Sequence, residues 1–161
     1  MGGALTVKGA AGDNLALHRA LAEACPGEVI VADVGEGQNA GHWGELMTIA
    51  AQARGVVGVI INGSIRDRSA LVSRRFPVYF HGTSPLQATK QEPGTIRIPL
   101  KLRGVFIEPG DQIAADDDGI VVIPKRSARE ILASAAALED REAAIARCLE
   151  QGETTIDVLG L

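Results

Sequence analysis

VVGVIINGSIRDRSAL, residues 56–71, begins as a run of valine and isoleucine and changes at Gly63 and Ser64 into a segment that carries the adjacent charges Arg66 and Asp67. The apolar run is continuous rather than alternating, which is typical of a strand buried on both faces of a parallel sheet. Loops that leave the carboxyl ends of such strands are where open α/β sheets bind ligands. The stretch therefore predicts a central strand that ends in a charged loop.

The sequence before this stretch alternates strand and helix patterns. ALTVKG (4–9) and EVIVADVG (28–35) have the composition of buried strands, and a leucine-spaced helix between them is predicted to begin near Asp13 or Asn14. The segment GHWGELMTIAAQARG (41–55) predicts a second helix that ends at Gly55. Such alternation favours a parallel sheet flanked by helices.

The sequence after Phe76 changes to short β-type segments separated by Pro, Gly and Asp. Turn residues at 109–111 and 118–119 predict a hairpin that returns to the sheet. The Ala-rich, charged segment that follows predicts a long C-terminal helix over 127–151. With 161 residues and 46% hydrophobic content, the chain is expected to be one α/β domain over residues 1–161.

Composition excludes several classes of function. The chain contains 16 Lys and Arg against 20 Asp and Glu, so its net charge is slightly negative. This composition predicts no basic surface for binding nucleic acid or a membrane. Cys25 and Cys148 are far apart and belong to no metal-binding motif, so neither a disulfide framework nor a zinc site is expected. No secretion signal or membrane-spanning run is recognisable, and the expected location is cytoplasmic.

Arg66 and Asp67 have two interpretations from their chemistry alone. The planar fork of an arginine suits a carboxylate and the oxygen of an aspartate suits a magnesium-like cation, so the pair could hold a small keto acid. Alternatively, Asp67 lies in the first turn of the helix RDRSALVSR and Arg66 forms a surface ion pair.

The motif GHWGELM (41–47) also has two interpretations. Gly44 would let the backbone approach a ligand, and the amides that follow it, at a helix N-terminus, would favour an anion. Alternatively, this is an ordinary helix start in which Trp43 and Met47 seal the core. His42 is either an acid/base group at neutral pH or a solvated side chain.

The spacing of Glu45, twenty residues, and then Arg66-Asp67 belongs to a larger set of motifs. Together they resemble the regulator of ribonuclease activity A and the related 4-hydroxy-4-methyl-2-oxoglutarate aldolases, over nearly the whole chain. The matching pieces are GDNLALHRAL, GELMTIAAQARGVVGVIINGSIRD, FPVYFHGTSP, GVFIEPGDQIAADDDGIVVIP and ARCLEQGETTIDVLGL.

This resemblance implies a class II pyruvate aldolase that uses Mg²⁺ or Mn²⁺ and cleaves 4-hydroxy-4-methyl-2-oxoglutarate-type 2-oxo acids, with oxaloacetate decarboxylation as a side activity. Asp67 would bind the metal, directly or through water, and Arg66 the 2-oxo acid. The amides of Leu46 and Met47 would bind the substrate carboxylate, and Glu45 would orient water at the metal. The metal would act as an electron sink for carbon–carbon cleavage.

The resemblance also implies a swivelling β/β/α domain with a C-terminal helix, assembled as a homotrimer or a dimer of trimers. From the acidity of the C-terminal helix, we expect Glu139 or Glu142 of a neighbouring subunit to complete the site. Some relatives are non-catalytic and bind ribonuclease E, which is the alternative function.

Three departures from the family pattern bear on that choice. Ala70 stands where catalytic members have an acid, three residues after the motif aspartate. Glu45 stands where the best-characterised pattern has aspartate. The section that usually precedes the first strand has no counterpart in this sequence. The missing acid favours the binding protein, whereas the retained Arg66 and Asp67 favour the enzyme.

Overall fold

The computed structural model describes residues 1–35 and 40–161. The chain divides into two compact units, Met1–Pro124 and Lys125–Leu161. In the first unit the elements are β1 (Gly2–Lys8), α1 (Leu15–Glu23), β2 (Glu28–Asp33), β3 (Gly41–Trp43), α2 (Glu45–Ala53), β4 (Gly58–Ile65), α3 (Arg68–Ser73), β5 (Val78–Thr83), β6 (Thr95–Ile96), β7 (Leu100–Leu102), β8 (Val105–Ile107), β9 (Gln112–Ala115) and β10 (Ile120–Ile123). The second unit contains α4 (Ala128–Glu150) and α5 (Thr155–Leu159).

Among the described residues the central sheet has eight strands, in which β2 lies between β1 and β4 and is parallel to both. β3 and β5 also pair parallel to β4, whereas β6 and β9 pair antiparallel to β1. The predicted parallel half and the predicted hairpin are both confirmed, since β9 and β10 form an antiparallel pair at the sheet edge. The strand β4, predicted from its continuous apolar run, is buried along its entire length.

The helix predicted over 41–55 begins later than expected. Gly41–Trp43 forms the short strand β3, which pairs with the end of β4, and the helix α2 starts at Glu45 with Gly44 as its N-cap. Pairing with β4 and burial of Trp43 outweigh the helical pattern here. The predicted end is confirmed, because Gly55 follows the helix with a φ of 73°.

Three layers form the first unit. On one face of the sheet, a core that includes Leu5, Ile30 and Ile61 packs against residues of α1 and α2 such as Leu17 and Met47. On the other face, a second core of Ala4, Val29, Val31, Ile60, Ile107 and Ile113 joins the sheet to the hairpin β7–β8. Helices, sheet and a further strand pair are the β/β/α order that the family resemblance implies.

The second unit is mostly helical, as predicted. α4 covers 23 residues, close to the expected range of 127–151, and α5 follows after a turn. No helix among the described residues combines the length and the apolar character needed to cross a bilayer. The expectation of a single domain over 1–161 stays a prediction.

Candidate active site

Arg66 and Asp67 lie immediately after β4, at the carboxyl edge of the sheet. The Arg66 backbone N–H donates to the carbonyl of Trp43 at 2.8 Å, which joins this loop to β3. Asp67 has a φ of 58°, in the left-handed region, and its carbonyl accepts from the N–H groups of Ala70 and Leu71. The alternative that Asp67 belongs to the first turn of the helix is therefore wrong: it is the residue before α3 and turns the chain at the sheet edge.

The N-terminus of α2 meets this loop directly. The backbone N–H of Glu45 donates to Asp67 Oδ2 at 3.1 Å, and Arg66 Nε lies 3.6 Å from the same oxygen. A Cβ at Gly44 would lie only 2.6 Å from Asp67 Oδ2 and 3.0 Å from Arg66 Nε, so the close approach requires a glycine. The structure thus brings together the four residues Gly44, Glu45, Arg66 and Asp67, which the sequence placed in two separate motifs.

An open cleft of about 670 Å³ lies over this junction, and we call it the rim cleft. Its lining consists of Glu45, Leu46, Ile65, Arg66, Asp67, Arg68, Thr83, Ser84, Pro85 and Gln87. Asp67 has a side chain that is 44% exposed and that of Arg66 is 36% exposed, so both can reach a ligand.

Glu45 has a partner that the sequence did not reveal. Arg74, just after α3, donates from Nε and Nη2 to Glu45 Oε1 at 3.0 and 2.8 Å. The Glu45 carboxylate is therefore balanced by a cation before any ligand binds. Because the contact depends on how α3 packs against α2, no sequence signal identifies Arg74.

Leu46 and Met47 differ in their side chains but share a backbone position. The Leu46 side chain is 76% exposed, whereas Met47 is buried in the core with only 6% exposed. Both belong to the first turn of α2. The backbone N–H groups of a first turn have no carbonyl acceptor within the helix. Since the N-cap Gly44 has no side chain to cap them, these amides suit an anion in the rim cleft.

His42 is a buried structural group rather than an acid/base group. It is 1% exposed; Nε2 accepts from the Gly12 N–H at 3.0 Å, and Nδ1 lies 3.3 Å from the Ser64 carbonyl. These partners require a neutral ring with its proton on Nδ1. Burial lowers the pKa of His42 below its usual value, which keeps the ring uncharged at neutral pH.

Asp13 and Asn14 complete a buried group with His42, and we call these three residues the inner polar cluster. Asn14 Nδ2 donates to the His42 carbonyl at 2.9 Å. The Asp13 carboxylate accepts from Thr89 Oγ1 and the Gln91 N–H, each at 2.6 Å, and from the Leu15 N–H at 2.9 Å. Burial raises the pKa of Asp13, but these hydrogen bonds outweigh it and bring the pKa to about 2.

Comparison with known proteins identifies similar sequences. A family model described as RraA-like: Aldolase/RraA matches residues 1–122, which include all of the rim cleft. A protein of Halalkalibacterium halodurans named "Putative 4-hydroxy-4-methyl-2-oxoglutarate aldolase" is 39% identical over 135 residues. That match covers 84% of this chain and 64% of the relative, so this chain spans less than two thirds of the relative's length.

Solved structures share the fold. An uncharacterized protein from Pseudomonas syringae pv. tomato superposes with a TM-score of 0.86 at 29% identity, over 98% of this chain and 73% of that one. The RNA-processing inhibitor RraA from Thermus thermophilis superposes with a TM-score of 0.72 at 28% identity, over 76% of this chain and 74% of that one. The similar proteins thus bear names of both an aldolase and an inhibitor.

Proposed function

We propose that this chain, which belongs to the RraA-like family, is a divalent-metal-dependent carbon–carbon lyase. Its substrates would be 4-hydroxy-4-methyl-2-oxoglutarate-type 2-oxo acids, with oxaloacetate decarboxylation as a side activity. The observation that carries the proposal is the junction of Arg66, Asp67 and the α2 N-terminus, joined by the 3.1 Å hydrogen bond from the Glu45 amide to Asp67. Arg66, Asp67 and the first two residues of α2, Glu45 and Leu46, line one cleft, whereas Met47 is not among its lining residues.

Asp67 fits the proposed metal. Magnesium is commonly held by one or two carboxylates, with water and substrate oxygens completing its shell, and Asp67 offers a half-exposed carboxylate. The described residues contain no group of three or more His, Cys, Asp or Glu that could hold a metal by themselves. Mg²⁺ or Mn²⁺ at Asp67 would withdraw electrons from the 2-oxo acid during carbon–carbon cleavage.

The remaining groups of the rim cleft would bind and orient the substrate. Arg66 presents a guanidinium that can pair with the 2-oxo acid, and the amides of Leu46 and Met47 would hold its carboxylate. The charged groups in and beside the cleft are two acids, Glu45 and Asp67, and three cations, Arg66, Arg68 and Arg74. This excess of one positive charge favours an anionic substrate. Glu45, held by Arg74, would orient water beside the metal.

Subunits of a homotrimer or a dimer of trimers would share this site, and the protein would act in the cytoplasm. Under this proposal a neighbour's α4 supplies Glu139 or Glu142 to the rim cleft. Mixing experiments test it: Asp67→Asn and a double Glu139→Gln, Glu142→Gln variant should each be inactive and regain activity when co-refolded. No regained activity would count against a shared site.

Decarboxylation provides the direct test of the activity. Purified protein is mixed with Mg²⁺ and oxaloacetate, and pyruvate is followed by a coupled assay. We expect turnover well above that of the metal alone, loss of turnover in Arg66→Ala, and unchanged turnover in Arg129→Ala, which removes an exposed arginine of α4. Turnover no higher than with the metal alone, or full turnover in Arg66→Ala, would contradict the proposal.

A second candidate function is a non-catalytic regulator that binds ribonuclease E. Ala70 supports it, because this half-buried residue of α3 brings no carboxylate to the turn after Asp67. The similarity to the Thermus inhibitor supports it as well. A pull-down with purified ribonuclease E tests this candidate, and it fails if the enzyme is not retained under conditions that retain a known inhibitor.

A further inference from the structure

A buried chain of hydrogen bonds lies directly behind the N-terminus of α2. The indole Nε1–H of Trp43 donates to Thr48 Oγ1 at 2.8 Å. The Thr48 hydroxyl in turn donates to the carbonyl of Gly44 at 3.1 Å. Both side chains are 0% exposed, so bulk water does not compete for these bonds. We call Trp43, Thr48 and the Gly44 carbonyl the buried relay.

The Thr48 hydroxyl has one fixed direction in the buried relay. An indole N–H donates and cannot accept, so it takes an acceptor position of Thr48 Oγ1 and leaves the hydroxyl proton for the Gly44 carbonyl. The Thr48 backbone N–H donates to the same carbonyl at 3.0 Å, as the first hydrogen bond of the helix. Two donors of Thr48, a residue that is itself held by Trp43, therefore fix the Gly44 carbonyl.

The peptide unit between Gly44 and Glu45 carries this restraint to the rim cleft. Because a trans peptide is planar, the direction of the Gly44 carbonyl also sets the direction of the Glu45 N–H. That N–H donates to Asp67 Oδ2 at 3.1 Å. On the other side of Gly44, the Trp43 carbonyl accepts from the Arg66 N–H at 2.8 Å. Glycine has more backbone freedom than any other residue, so these partners supply the restraint that a side chain would otherwise give.

We propose that Thr48, held by Trp43, is a positioning residue of the rim cleft. Its hydroxyl fixes the peptide unit that aims the Glu45 N–H at Asp67, and that bond holds one oxygen of a carboxylate that is otherwise half-exposed. Thr48 is not among the described residues that line the cleft, so it acts through Glu45. Its consequence for catalysis rests on the proposed lyase function, whereas the direction of the N–H is measurable without metal or substrate.

Nuclear magnetic resonance of the full chain gives the first test, because the chemical shift of the Glu45 amide proton reports its hydrogen bond. Asp67→Asn should move this proton upfield, since a carboxylate is a stronger acceptor than an amide. In a Thr48→Val background the same replacement should move it by about half as much or less, because the N–H is no longer held toward Asp67. Thr48→Ser, which keeps the hydroxyl, should give the full shift. Comparing two backgrounds cancels the direct effect of valine on its neighbours.

Thr6→Val is the matched control. Thr6 is also 0% exposed, and its Oγ1 has no hydrogen-bond partner among the described residues, so the same substitution removes a hydroxyl that makes no such bond. Thr48→Val leaves the Trp43 indole N–H buried without its acceptor, which can prevent folding. In that case the double variant Trp43→Phe, Thr48→Val takes its place, because it removes the donor and the acceptor together.

Kinetics with Mg²⁺ and oxaloacetate give the second test. Thr48→Val should lower kcat/KM by about tenfold in the folded fraction, whereas Thr48→Ser should lose at most about twofold and Thr6→Val should lose nothing. A full Asp67→Asn shift in the Thr48→Val background overturns the positioning role, and so does unchanged kcat/KM in that variant. If the natural protein has no turnover, the proposed function fails, while the comparison of shifts still decides whether Thr48 positions the Glu45 N–H.

Discussion

The rim cleft and the inner polar cluster use similar side chains in opposite ways, although His42 of the cluster lies only three residues before Glu45 of the cleft. Each has an aspartate beside a helix N-terminus: Asp67 before α3 and Asp13 before α1. Asp13 is 3% exposed and accepts three hydrogen bonds from described residues, whereas the Asp67 side chain is 44% exposed. The same chemical group is structural in the first place and available to a ligand in the second.

The difference shows that the partners of a polar group, more than its type, indicate its role. Asn14 and His42 also have most of their polar atoms paired inside the protein, and their burial excludes a ligand. In the rim cleft the helix amides, Arg66 and part of Asp67 retain capacity for further bonds. Four substitutions test this contrast, in order of decreasing expected effect.

Asp67→Asn should remove the proposed metal ligand and lower kcat/KM for oxaloacetate by at least roughly 100-fold. Asparagine tolerates the left-handed backbone and can still accept from the Glu45 amide, so the free energy of unfolding should change by less than about 0.5 kcal/mol. Steady-state kinetics with Mg²⁺ and urea unfolding measure both quantities. Asp118→Asn, in the exposed turn between β9 and β10, is the control; retained activity in Asp67→Asn would contradict the assignment.

Asp13→Asn should instead lower the free energy of unfolding at neutral pH, by about 2 kcal/mol, with lyase kinetics unchanged in the folded fraction. The pKa of Asp13 falls from 3.8 to about 2 on folding, so its stabilising effect is present above pH 3.8 and is lost as pH falls through about 2. Urea unfolding across this pH range should show that the free energy of unfolding falls more steeply with decreasing pH in the natural protein than in the variant. Identical pH dependence would show that Asp13 is not the group responsible.

Gly44→Ala should reduce activity by about tenfold, because the new methyl group displaces Asp67 and Arg66 from their present contacts. Its φ of −158° and ψ of −168° are accessible to alanine, so the effect should come from the contact and not from backbone strain. Gly119→Ala, where a Cβ meets nothing within 4 Å, is the matched control. Equal activity of the two variants would show that the close approach is dispensable.

Ala70→Asp should have the smallest effect, a tightening of apparent Mg²⁺ affinity by a few-fold, about 0.5 kcal/mol. It adds a carboxylate one helical turn after Asp67, in the first turn of α3. The magnesium dependence of decarboxylation gives the measurement. Ser69→Asp adds the same charge at the neighbouring exposed position, and an equal change there would indicate a general charge effect.

Much of the site could be predicted from residue patterns. The unbroken apolar run of β4 identified a strand buried on both faces, and the residues that follow it had to lie at the sheet edge. The glycine before Glu45 indicated close backbone approach. The pattern failed where tertiary pairing overrode local preference: Gly41–Trp43 became a strand because β4 offered it backbone partners. Asp67 precedes α3 instead of lying in its first turn, because the chain must turn at that edge of the sheet.

Other features could not have been predicted, since they depend on distances between elements remote in sequence. The ion pair of Arg74 with Glu45 arises from the packing of α3 beside α2, across 29 residues. The buried position of His42 depends on contacts with Gly12 and Ser64, from two other parts of the chain. Nothing in the local sequence around Arg74 or His42 distinguishes them from residues whose side chains are solvated.

The sequence by itself determined which chemical groups this protein has and which strand carries them, because hydrophobic periodicity and glycine placement act locally. The tertiary structure alone decided which of those groups remain available. It buried Asp13 and His42 among donors and acceptors, paired Glu45 with Arg74, and left Asp67 half-exposed beside the α2 amides. The reason is that desolvation and hydrogen bonding are set by neighbours in space, and those neighbours exist only in the folded chain.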